Sequence, residues 1–122
     1  MTPFFSILIP ACNMAGKMQA CVDSVRNQSC GDFEAIMVDD GSTDSTWAEL
    51  ETFASADPRF IPCRHGENRS LLAARYTAMA KARGNYILFL DSDDYLETDA
   101  LEGLKDSLTA NPVDILRFGY CT

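Results

Sequence analysis

Short apolar runs alternate with longer amphipathic runs along the chain, and this alternation limits the possible folds more than any other feature. Apolar runs predict buried strands, and amphipathic runs predict helices. The predicted strands are residues 5–10, 33–39, 60–63, 86–90 and 115–119. The predicted helices are residues 17–27, a segment following the turn 41–44 and running to about 56, 70–83 and 98–110. The order predicts an α/β fold with a mostly parallel sheet and helices on both faces.

The length and composition fit one compact domain. The 122 residues, 47% of them hydrophobic, are enough for one core, so we expect residues 1–122 to form a single domain. The chain carries 18 acidic and 10 basic side chains, a formal charge of −8. That excess repels a phosphate backbone, so we expect no nucleic-acid partner.

The cysteines and the apolar runs predict a cytoplasmic location. Five cysteines, an odd number without a C-x-x-C pair, suggest reduced thiols rather than a disulfide framework. The first apolar stretch is interrupted by Ser6 and closed by Pro10, whereas a membrane span needs about 20 apolar residues. We therefore expect no membrane span in this chain, and we leave open a membrane association through segments outside it.

Polar side chains stand where three of the predicted strands end. Asn13 follows the first strand, Asp39 and Asp40 end the second, and the segment 91–94, with three aspartates, follows the fourth. The carboxyl ends of parallel strands meet at one edge of a sheet, so we expect one shared ligand site there. A divalent cation would offset the repulsion between the carboxylates, and such oxygen ligands favour Mg²⁺ or Mn²⁺. Taken singly, each cluster also fits a turn or helix cap.

Two common phosphate-binding motifs do not match the sequence. A P-loop containing Gly16 and Lys17 would need glycine at position 11 and serine or threonine at position 18, where the chain has Ala11 and Met18. No G-x-G-x-x-G follows the first strand, so a dinucleotide site of the Rossmann type is not supported.

Three ordered segments resemble a known family. The segments are ILIPACN at 7–13, VDDGSTD at 38–44 and GNYILFLDSDD at 84–94. They are similar to the motifs of family 2 glycosyltransferases, which have the GT-A fold with a Rossmann-like nucleotide-binding half. The resemblance extends from about residue 5 to residue 119.

The resemblance implies a role for each matching residue. The residue that matches Asp40 binds the base of a nucleotide, usually uracil, and its neighbour Asp39 supports the same pocket. Asp91 faces the ribose, and Asp93 coordinates a metal that bridges the two phosphates. Asp94 is left unassigned. Pro10 of the first motif is also assigned to the nucleotide site, and Arg75 is a candidate diphosphate contact, with an ordinary surface arginine as the alternative reading.

The function implied by the resemblance is transfer of a sugar from a nucleotide-sugar, usually a UDP-sugar, with inversion and with a metal. The acceptor is a saccharide, a lipid or a protein. We expect the chain to be the donor-binding part, truncated on the acceptor side, and we name no catalytic base in it. The alternative is a nucleotide-binding or interaction module without catalysis. A phosphatase of the haloacid dehalogenase type fits poorly, because its nucleophile strand comes first and the matching strand here is fourth.

The chain departs from the family motifs at several positions. Ser70 and Ala78 replace glycines and Tyr76 replaces asparagine in a segment that resembles N-x-G-x-x-x-A-R-N-x-G, and Cys12 replaces a common aromatic residue. We expect His65, the single histidine, to be a surface residue. We also expect Gly84 to end the preceding helix as a left-handed cap.

Overall fold

The computed structural model describes residues 2–114. The four strands are β1 (Phe5–Ala11), β2 (Phe33–Asp40), β3 (Phe60–His65) and β4 (Tyr86–Phe89). The four helices are α1 (Gln19–Arg26), α2 (Thr46–Ala56), α3 (Leu71–Lys81) and α4 (Ala100–Ala110). The predicted strand 115–119 lies outside the described residues.

The four strands form one sheet in the order β3-β2-β1-β4, and all neighbouring strands are parallel. Every residue of β1 and β2 is buried, which is why both central strands read as nearly continuous apolar runs. The predicted α/β class with a parallel sheet is therefore confirmed.

Helices cover both faces of the sheet, as the sequence predicts. On one face, the buried side chains of α1, α2 and α4 join the main core cluster with those of the strands. On the other face, Ala74 and Ala78 of α3 pack against Leu8, Ile36 and Val38. Small alanine side chains let the axis of α3 approach the sheet closely. Among residues 2–114 there is no helix with the length and apolar character needed to cross a bilayer.

The prediction for Gly84 is wrong. Helix α3 ends at Lys81 and its C-cap Ala82 is extended, and between residues 2 and 114 the glycines with positive φ are Gly16 and Gly41. Gly84 instead passes close to β1, where a Cβ would lie 2.6 Å from the backbone nitrogen of Ser6. A side chain is excluded there by close approach of two backbone segments rather than by a left-handed turn.

Candidate functional site

A cleft of about 320 Å³ opens at the carboxyl ends of the strands, beside the N-terminus of α3. The lining residues are Pro10, Ala11, Cys12, Met14, Asp40, Asn68, Ser70, Leu71, Ala74, Asp91, Ser92 and Asp93. The predicted proximity of Asp40 and Asp93 is thus confirmed, because both line one cleft. Of the other predicted site residues, Pro10 and Asp91 also line it, whereas Asp39 and Arg75 lie outside its lining.

Asp40 is a buried carboxylate held by three donors. Its Oδ1 accepts hydrogen bonds from the backbone N–H of Arg69 and from Nδ1 of His65, both at 2.8 Å. Its Oδ2 accepts from the backbone N–H of Ser70 at 3.0 Å. The side chain is only 4% exposed. The start of α3 and the end of β3 therefore fix the orientation of this carboxyl group.

His65 is buried, so the surface position expected for it is wrong. The residue is 6% exposed, and its Nε2 lies 2.7 Å from Oγ1 of Thr77 on α3. Strand β3 runs two residues beyond the predicted end, and His65 is the register partner of Asp40 on the neighbouring strand. A predicted strand that ran to residue 65 would have indicated that His65 lies beside Asp40. Arg64 and His65 are polar, however, so the apolar pattern ends at residue 63.

Burial and hydrogen bonds have opposite effects on the pKa of Asp40, and the effect of the hydrogen bonds is larger. Burial disfavours the charged form, but the N–H of Arg69, the ring of His65 and the N–H of Ser70 favour it, so the pKa of Asp40 lies below its ordinary value. The carboxyl group is therefore ionised at neutral pH and can only accept hydrogen bonds.

Acid is expected to destabilise the protein partly through Asp40. A lowered folded-state pKa means that ionised Asp40 contributes stability above the unfolded pKa of about 4 and that this contribution is lost as the pH falls through the folded pKa. In urea denaturation between about pH 5 and pH 2, the free energy of unfolding should fall less for Asp40→Asn than for wild type. The lowered pKa values of Glu34 and Asp57 affect both proteins equally. As a control, Asp106→Asn on the exposed surface should show the wild-type pH dependence of the free energy of unfolding. The same pH dependence in Asp40→Asn and in wild type would contradict a lowered pKa of Asp40.

Asp39 supports the loop that carries the site. It is fully buried, and its Oδ1 accepts hydrogen bonds from the backbone N–H of Ser42, at 3.0 Å, and from the Ser42 hydroxyl. Among the described residues its Oδ2 has no hydrogen-bond partner. Asn13, with φ of 52°, ties the loop after β1 to the same turn, because its Oδ1 accepts from the N–H of Thr43 at 2.9 Å. The loops after β1 and β2 thus form one hydrogen-bonded unit.

Three aspartates after β4 form an acidic cluster. Oxygens of Asp91, Asp93 and Asp94 all lie within 4.8 Å of one another. Cys21, buried nearby, reports the local field, because burial and then the charges of Asp94, Asp93 and Asp91 raise the pKa of its thiol to about 12. An oxygen-only donor set with unbalanced negative charge fits Mg²⁺ or Mn²⁺.

Arg75 is coupled to this cluster from α3. Its Nη2 lies 3.3 Å from Oδ1 of Asp91, and its guanidinium carbon lies 5.8 Å from the centroid of the Phe89 ring. Both partners of the ion pair are partly exposed, so the pair itself contributes little to stability. The contact does place a positive charge next to a residue of the cleft lining.

Ser70 adopts a backbone conformation that favours glycine. Its φ is 114° and its ψ is 159°, a region that costs a non-glycine residue about 1–3 kcal/mol. The side chain gains one contact in return, since Oγ accepts from the N–H of Ala73 at 3.2 Å as an N-cap. The family motif that this segment resembles has glycine here, which agrees with a backbone conformation that favours glycine.

Ser70→Gly is therefore expected to stabilise the protein by about 1 kcal/mol. Relief of the φ strain exceeds the loss of the cap, worth a few tenths, and the entropy that glycine adds to the unfolded chain. Ser70→Ala should destabilise by about 1 kcal/mol, because it keeps the strain and removes the cap. Urea denaturation at neutral pH measures both changes. A glycine variant less stable than wild type would show that the strain is absent.

Known proteins are similar to this chain in sequence and in architecture. The family described as "Glycosyl transferase family 2" matches residues 6–119. The glycosyltransferase EpsJ of Bacillus subtilis is 36% identical over 120 residues, which cover 98% of this chain and 35% of that protein. The chondroitin synthase of Pasteurella multocida is 43% identical over 100 residues, which cover 82% of this chain and 10% of that protein. The chain thus spans about a third of the first relative's length and a tenth of the second's.

Solved structures give the same result for the fold. Residues 1–349 of S. aureus TarS, in complex with UDP, superpose with a TM-score of 0.81 at 27% identity, covering 87% of this chain and 32% of that one. A mannosyltransferase from Pyrobaculum calidifontis, in complex with GDP-Man and Mn²⁺, superposes with a TM-score of 0.81 at 25% identity, covering 92% of this chain and 34% of that one. The family match covers nearly the whole sequence and the architecture agrees with it. The chain therefore belongs to glycosyl transferase family 2, the glycosyltransferases with the GT-A fold.

Proposed function

We propose that the chain binds a nucleotide-sugar donor, a UDP-sugar, for metal-dependent transfer of the sugar to an acceptor with inversion. The observation that carries the proposal is that Asp40 and the acidic cluster line one cleft. The cleft thus offers a fixed hydrogen-bond acceptor for a base, in Asp40, and oxygen ligands for a cation, in Asp91 and Asp93. The complexes of similar proteins with UDP and with GDP-Man support a nucleotide-sugar, and the resemblance supports uracil.

Each residue has a defined task in this proposal. Asp40 accepts a hydrogen bond from the base, and Asp39 holds the turn beneath it. Pro10 forms part of the cleft wall. Asp91 faces the ribose, and Arg75 moves from Asp91 to the diphosphate when the donor enters.

Asp93, assisted by its neighbours in the cluster, would hold Mg²⁺ or Mn²⁺. When bound, such an ion stabilises the negative charge that develops on the departing nucleoside diphosphate. The guanidinium of Arg75, which contacts Asp91, contributes positive charge beside the same cluster. The Mn²⁺ complex of the Pyrobaculum calidifontis enzyme supports an ion at such a site.

Residues 1–122 bind the donor as one unit in this proposal. We name no acceptor site and no general base among them. The acceptor remains a saccharide, a lipid or a protein. The free thiols of Cys12, Cys21, Cys30 and Cys63 support a reducing, cytoplasmic location.

Calorimetric titration with UDP, GDP and uridine, each with Mn²⁺ and with a chelator, tests the proposed function. We expect UDP to bind in the presence of Mn²⁺ and uridine to bind more weakly and without metal dependence, because it lacks the diphosphate. Absence of binding by both diphosphates at millimolar concentration would contradict the proposal. Binding of UDP without hydrolysis or transfer of any UDP-sugar would instead favour the non-catalytic module.

A further inference from the structure

We propose that His65 is a positioning residue for the nucleotide base: it fixes Asp40 so that one acceptor position remains, and this selects uracil or guanine over cytosine. The inference rests on the proposed function, since it concerns the same cleft. It assigns a task to a buried histidine that neither the metal site nor the diphosphate contact uses.

The contact with Asp40 determines which ring nitrogen of His65 carries a hydrogen. Ionised Asp40 can only accept, so the 2.8 Å contact requires that Nδ1 of His65 carries the hydrogen. The other ring nitrogen, Nε2, lies 2.7 Å from Oγ1 of Thr77, a hydroxyl that can donate to it or accept from it. The two contacts fix the orientation of the ring, with the hydrogen on Nδ1 directed at Asp40, and they tie β3 to the middle of α3.

The hydrogen bonds within the protein occupy most of the acceptor positions of the Asp40 carboxylate. An ionised carboxyl group offers about four acceptor positions. Oδ1 receives the ring of His65 and the N–H of Arg69, and Oδ2 receives the N–H of Ser70. A single position, on Oδ2, is left for a ligand, and Asp40 lines the cleft.

The remaining acceptor position of Asp40 favours a base that carries a hydrogen-bond donor. Uracil and guanine each carry a ring N–H on their pairing edge, whereas the matching ring nitrogen of cytosine is an acceptor. An acceptor placed against a buried, acceptor-only carboxylate leaves both groups unpaired and repelling. The complexes of similar proteins contain a uridine and a guanosine diphosphate, which have this N–H in common. Without His65, Oδ1 regains a free position and the carboxyl group can rotate, so discrimination between bases falls.

Nitrogen NMR of the imidazole tests the position of the ring hydrogen of His65 without any ligand. The chain has a single histidine, so its two ring nitrogens give the only imidazole signals. We expect Nδ1, which faces Asp40, to carry a hydrogen. A dominant Nε2–H tautomer would overturn the inference, and it would do so whether or not the protein binds nucleotides.

Calorimetry with UDP and CDP tests the preference of the cleft for uracil over cytosine. We expect wild type to prefer UDP, and His65→Ala to bind UDP about tenfold more weakly with little change for CDP, because one hydrogen bond to a charged group is lost. His65→Asn, whose amide can take the place of Nδ1–H, should restore most of the preference. A folded His65→Ala variant with the wild-type UDP to CDP ratio would overturn the inference while leaving the proposed function intact. Failure of wild type to bind either diphosphate would instead count against the proposed function.

Discussion

Asp93→Asn is expected to weaken Mn²⁺-dependent binding of UDP on the order of 100-fold. Asparagine keeps the size of the side chain but removes the negative charge and one anionic oxygen from the cluster of Asp91, Asp93 and Asp94. The charge lost is the one that attracts a divalent cation, so the variant should bind UDP with similar affinity with Mn²⁺ and with a chelator. Calorimetric titrations of both proteins under both conditions measure the effect.

The matched control for this variant is Asp106→Asn on α4. The change in net charge is the same, and Asp106 is exposed and outside the lining of the cleft. We expect the control to retain the wild-type metal dependence. Equal UDP affinity for wild type and Asp93→Asn in the presence of Mn²⁺ would contradict the metal assignment, because removal of the Asp93 carboxylate would then have no effect on metal-dependent binding.

Gly41→Ala is expected to lower the free energy of unfolding by about 3 kcal/mol. Gly41 follows Asp40 with φ of 68°, where an L side chain costs roughly 1–2 kcal/mol. A Cβ would also lie 2.3 Å from the backbone nitrogen of Asn68 and 2.4 Å from the carbonyl carbon of Glu67. Backbone atoms cannot move away as a flexible side chain can, so the loop itself must shift. Urea and thermal denaturation measure the loss, which corresponds to a decrease of roughly 10 °C in Tm.

The same substitution should also weaken nucleotide binding in the fraction that stays folded. The segment displaced by the new methyl group leads directly into Arg69 and Ser70, whose amides hold Asp40. Gly66→Ala is the control, since a Cβ there meets no atom within 4 Å. A stability within about 0.5 kcal/mol of wild type for Gly41→Ala would show that the two loops are not in contact.

The strands could be predicted from the sequence because the central ones are buried on both faces. Continuous burial leaves a continuous apolar run in β1 and β2, and the predicted bounds are within one residue of those observed. Convergence of Asp40, Asp91 and Asp93 followed from the rule that parallel strands end at one edge of the sheet. The end of α3 did not follow, because Gly84 is a glycine for reasons of packing against β1, and packing has no local signature.

The buried network around Asp40 was beyond the sequence for a different reason. His65 and Asp40 lie 25 positions apart, and only the register between β2 and β3 makes them partners. A single histidine in a polar stretch resembles any exposed histidine until that register is known. The strain at Ser70 had one signal in the sequence, since the resembling family motif has glycine at this position, but serine is also an ordinary N-cap residue and only the structure gives its φ of 114°.

The strand order β3-β2-β1-β4 has a consequence for evolution of the site. The chain builds the sheet outward from β1 to β3 and then returns to the opposite side of β1 for β4. Right-handed connections place α1 and α2 on one face for the outward steps and α3 on the other for the return. Neighbouring loops then diverge where the direction reverses, and a crevice opens there whatever side chains line it. Substitutions such as those at Cys12 and Ser70 can therefore retune which molecule is held without relocating where it is held.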